Sequence, residues 1–174
     1  MATLINNLRN QMAFVATGNP ETVDDATAYA PGQLGALLTR GSETFQYVKF
    51  DTGATAAAAV TVAAKEIVFW KDADDFLVTT VLNQAPAGRN GVAGVLANAP
   101  TPGNYFWMQV GGLASVKTSG SIAAGTQPIA NSGSDADVTA EAVGTAPTYR
   151  PIGVAQAATS GGNTTVNLTL NDHV

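Results

Sequence analysis

The chain has no cysteine and a single histidine, His173, one residue from its C-terminus. Disulfide bridges are thereby excluded, and thiol nucleophiles, histidine general bases and Cys/His metal sites nearly so. Basic residues are also scarce: Lys and Arg number 8 against 13 Asp and Glu, a net charge of −5. An acidic chain repels phosphate backbones, and no stretch gathers the basic cluster that a nucleic-acid groove needs, so no nucleic-acid partner is expected. No window approaches the roughly 18 consecutive apolar residues of a membrane span, so no membrane partner is expected either. The first residues lack the basic start and apolar run of a secretory signal, which leads us to expect synthesis and folding in a cytoplasm. Aromatic residues make up 7% and charged residues 12% of the 174 positions, while 45% are apolar, much of that alanine. This balance predicts a thin core and a surface covered mostly by Thr, Ser, Asn, Gln and backbone, as suits a protein packed against copies or partners.

What is present is β-type patterning. Alternation of apolar and polar residues predicts strands at 45–50, 59–62, 66–70, 76–81, 104–110, 113–117 and 164–170. Gly111-Gly112 lies between two of these, where the pair can supply the positive φ of a two-residue hairpin turn, and Asn90-Gly91 is a second strong turn signal. The Thr/Ala/Gly tracts at 51–59, 118–124 and 131–143 read as loops or very short edge strands. Residues 1–35 read as an N-terminal arm, extended or partly helical. Leu4, Leu8, Met12 and Val15 mark one face of a short helix, Phe14 lies among them, and Gly18, Pro20, Pro31, Gly32 and Gly35 interrupt the remainder of the arm. The expected architecture is therefore mainly β: a small sandwich or barrel of short antiparallel strands over 36–174, behind the arm. Matches about sixty residues apart, such as Asn90-Gly91-Val92-Ala93 with Ile152-Gly153-Val154-Ala155, raise two similar β-units, about 45–110 and 111–174.

Clusters that carry chemistry elsewhere read as structure here. Lys71-Asp72-Ala73-Asp74-Asp75 lacks the sixth-position glycine and twelfth-position glutamate of a helix-loop-helix calcium site, and is read as a solvated turn; Asp135 and Asp137 are read the same way. The segment 88–94 is glycine-rich but contains no Lys-Ser/Thr pair, so a turn replaces a phosphate cradle. No Gly-x-Ser-x-Gly elbow occurs, and no serine has an internal histidine to activate it. The sequons at Asn163 and Asn167 are read as strand threonines. Tyr105-Phe106-Trp107-Met108 is the largest apolar concentration, half of it expected in the core and half free to face a partner. No acid, base or nucleophile has a partner, so no catalytic residue, cofactor or metal ligand is expected, and the chain is read as a binding or structural protein, not an enzyme.

The order of segments 47–51, 68–72, 90–96 and 103–117, closed by Pro151-Ile152-Gly153-Val154-Ala155 and a Gly161-Gly162 strand, resembles the small head decoration (capsid cement) proteins of tailed bacteriophages. The likeness spans about residues 30–170 and consists of strands and glycines. It implies a β-rich virion protein on the outer surface of the expanded head, bridging neighbouring major capsid protein subunits and often trimeric with its own copies. In that setting the arm is expected to lie across a neighbour, with Leu4, Leu8, Met12 and Phe14 as candidate contacts. The alternative is a head-fibre or surface module that binds host glycan or protein.

Overall fold

The computed structural model describes residues 24–25, 34–51, 62–82, 91–131, 136–141 and 149–170. They form eleven strands: β1 Asp24–Asp25, β2 Leu37–Arg40, β3 Glu43–Phe50, β4 Ile67–Asp72, β5 Leu77–Thr79, β6 Val92–Leu96, β7 Tyr105–Lys117, β8 Pro128–Ala130, β9 Val138–Ala140, β10 Gly153–Ala155 and β11 Asn163–Thr169. The expected mainly β class holds. Leu4, Leu8, Met12 and Phe14, with most of the arm, lie outside the described residues, as do positions 59–61 of an expected strand.

Strands β7, β6, β4, β5 and β3 succeed one another in hydrogen-bonded order, and β3 returns to pair with β7, closing a five-stranded barrel. Closure removes the free edges that these strands would otherwise expose. The pairs are antiparallel except β3 with β5, which run parallel through Lys49↔Leu77 and Phe50↔Val78. Alternation along the strands divides their apolar residues between two sides. Val48 and Phe50 of β3, with Phe106, Met108 and Val110 of β7, join the main hydrophobic cluster. Phe45, Tyr47 and Trp107 form a second cluster, covered by Leu34, Ala36 and Leu38. Trp107, in the outward half of the aromatic segment, is therefore not free for a partner, while Tyr105 on the same side is half-buried. Trp107 is 2% exposed, its ring centroid 5.1 Å from that of Tyr47, beneath the chain's own β2 segment.

The expected hairpin at Gly111-Gly112 is not formed. β7 runs unbroken for 13 residues, its first half in the barrel and its second half, from Gly111, paired with β11. Gly112 does adopt a positive φ of 81°, but within the strand, beside a register shift at Thr44/Phe45 on β3. The strand must bend there. Gln109 pairs with Val95, and Val95 with Ile67, yet the Lys117 N–H reaches the Lys65 carbonyl at 2.8 Å. Eight extended residues cover about 26 Å, whereas two strand spacings are about 10 Å, so a straight strand would overshoot.

Beyond the bend, β7, β11 and β10 form a three-stranded antiparallel sheet, and β8 and β9 a separate two-stranded one. Their inward residues, among them Val116, Val138 and Val166, together with Ile122 and Ile152 from the flanking segments, belong to the same hydrophobic cluster as the barrel interior. Strand β6 carries no alternation that would mark it in the sequence, because all five of its residues are buried.

Candidate functional site

In the three-stranded sheet the register places Val154 beside Asn167 and Asn167 beside Leu113. Neighbouring residues Ala155, Val166 and Ala114 point inward and are buried, so Val154, Asn167 and Leu113 form one row across the outer face. Leu113 is 51% and Val154 37% exposed, two of the three large apolar side chains that are open to solvent among the described residues. Ser115 and Thr169 are exposed on the same side, and half-buried Thr165 pairs with Ser115. The face carries no charge until Lys117 at the end of β7, and that ammonium turns to Glu66 and Asp137.

The far edge of β10 is closed. Gly125 donates to the Ala155 carbonyl at 2.7 Å, Ala155 to Thr126 at 2.9 Å and Ile152 to Pro128 at 2.9 Å. On that side the sheet therefore offers side chains to a partner, not a strand edge. The third exposed residue, Leu37, stands alone on β2, at the other end of the strand order. A single exposed apolar residue needs no special account.

The charged clusters serve the fold. Asp72 Oδ1 accepts the N–H groups of Asp74 at 3.0 Å and Asp75 at 3.4 Å, closing the β4–β5 turn as the sequence predicts. Lys71 Nζ lies 2.6 Å from Asp51 Oδ2 and ties the end of β3 to β4. Asp137 corrects its expected place in a solvated turn: it is buried, its Oδ1 3.1 Å from Lys117 Nζ. The same Nζ lies 3.0 Å from Oε1 of buried Glu66, whose Oε2 accepts the Ala63 N–H at 3.0 Å. The hydrogen bond to Glu66 is the main cause that raises the Lys117 pKa; burial opposes it, and Asp137 adds to it.

Among the described residues no group of three His, Cys, Asp or Glu side chains is placed to hold a metal ion. Nothing in the sequence singles out Leu113 and Val154, because exposure in a β-strand depends on which sheet covers which face. No protein-family model matches the chain, and no curated protein sequence matches it.

Proposed function

We propose that this chain is a structural virion protein that binds the outer surface of the expanded head of a tailed bacteriophage and bridges neighbouring major capsid subunits. The observation that carries the reading is the uncharged row Val154–Asn167–Leu113, set on the three-stranded sheet in a chain of net charge −5. An acidic protein can approach a dense protein lattice through such a face with little electrostatic cost. Each copy needs only modest burial, because many copies on one lattice add their effects. The order of strands and glycines that resembles decoration proteins supports the same reading.

The arm, with Leu4, Leu8, Met12 and Phe14, is proposed as a second contact that lies along a neighbouring subunit. The glycan-binding alternative is disfavoured by the burial of Tyr47 and Trp107, which leaves no aromatic platform at that cluster.

The test is co-sedimentation of the purified chain with capsids of its source virus, compact precursor against expanded shell. Saturable binding to the expanded form alone is expected. Binding to neither form would overturn the proposal in favour of a host-binding module. Deleting residues 1–20, which spares β1, is expected to weaken binding while leaving the folded body intact.

A further inference from the structure

We propose that Lys117 is the pin of a strained latch: held between buried Glu66 and Asp137, it fastens the β8–β9 hairpin to the barrel, and its loss frees the hairpin while the barrel stays closed. Three bodies meet at this lysine. Glu66 immediately precedes barrel strand β4, Lys117 ends β7 in the three-stranded sheet, and Asp137 immediately precedes β9. Main-chain bonds run along the same seam: Lys117 to Lys65 at 2.8 Å, Ile67 to Ala136 at 3.0 Å and Ser119 to Val138 at 3.0 Å.

Both segments gripped by the lysine are held in an unfavourable backbone conformation. Lys65 has φ of 74° and Ala136 φ of 64°, two of the three positive-φ residues other than glycine among the described residues. Left-handed backbone at a residue with a Cβ persists only where its surroundings enforce it. Here the residues immediately after Lys65 and Ala136 are the two carboxylates bound to the same ammonium. The hairpin itself is weak, two strands of three residues each, too short to stand alone. Ala130 and Val138 bury their side chains in the main cluster and Ile152 donates to the Pro128 carbonyl; on the barrel side the hairpin is held by the seam, and the seam centres on one charge. Without that charge, the two buried carboxylates lose the cation that joins their segments.

Residue-resolved amide hydrogen exchange on the full chain tests the latch, comparing wild type with Lys117→Met and Asp137→Asn. In Lys117→Met the N–H groups of Ile67, Ser119 and Asn131, all bonded to residues 136–138, are expected to exchange about tenfold faster or more. Those of Lys49, Phe50 and Asp51, bonded elsewhere in the barrel, are expected to keep their rates. The near-isosteric Asp137→Asn is expected to give a smaller acceleration at the same three amides, and it decides the matter if Lys117→Met does not fold. Unchanged exchange at the seam, or equal acceleration in the barrel, would overturn the proposal.

Discussion

Gly112 meets the main chain of Ser42 so closely that a Cβ built on it would overlap the Ser42 carbonyl oxygen and lie 2.9 Å from the Glu43 Cα. This contact lies where β7 leaves the barrel and bends toward β11, and the φ of 81° at Gly112 is one that L side chains rarely adopt. Gly112→Ala combines left-handed strain with backbone overlap and is expected to lower stability by about 2–4 kcal/mol. Gly161→Ala, at φ of 58° with nothing near the new methyl, isolates the conformational part and should cost about 1 kcal/mol. Urea denaturation of both variants checks the difference; equal losses would contradict the close approach.

The two glycines at 111–112 also show where sequence reading succeeds and stops. Their composition signals a positive φ, and Gly112 has one, but a local signal does not distinguish a hairpin from a bend within one strand. That choice is made by β3 and β11, which pair with β7 from far along the chain. Strands β3, β4, β5 and β11 are legible because each carries β-branched or aromatic residues between turn signals. β6 is not: Val92-Ala93-Gly94-Val95-Leu96 is buried on both faces and shows no alternation, so residues 92–94, read as part of a glycine-rich turn over 88–94, are a buried strand instead. The Lys117–Glu66 pair spans 51 positions, and nothing local to either residue announces it.

Lys117 makes stability depend on pH at the alkaline end. Its folded-state pKa is raised, so its contribution is fully present below the unfolded-state value of about 10.4 and is lost as pH climbs through the higher folded value. The melting temperature of wild type is expected to fall more steeply than that of Lys117→Met above that pH. Parallel curves for the two proteins would contradict the assignment.

The barrel interior and the outer sheet face should respond in opposite ways. Phe106 is fully buried, its ring edge-on to Phe50 with centroids 6.1 Å apart, so Phe106→Ala is expected to cost about 3–5 kcal/mol. Leu113→Asp places a charge on an exposed position and should change stability by no more than about 0.5 kcal/mol. Thermal or chemical unfolding separates the two. A large loss in Leu113→Asp would mean that the outer face is packed within the chain itself.

The proposed function has the chain reinforce an expanded shell through the face containing Leu113 and Val154. It is tested most directly by heating purified expanded capsids alone, with the wild-type chain, and with the double variant Leu113→Asp/Val154→Asp, and recording the temperature at which the shells break. The account predicts a higher rupture temperature with wild type and little or no increase with the double variant, although both chains are folded. An unchanged rupture temperature with saturating wild type, or equal protection by the variant, would contradict it.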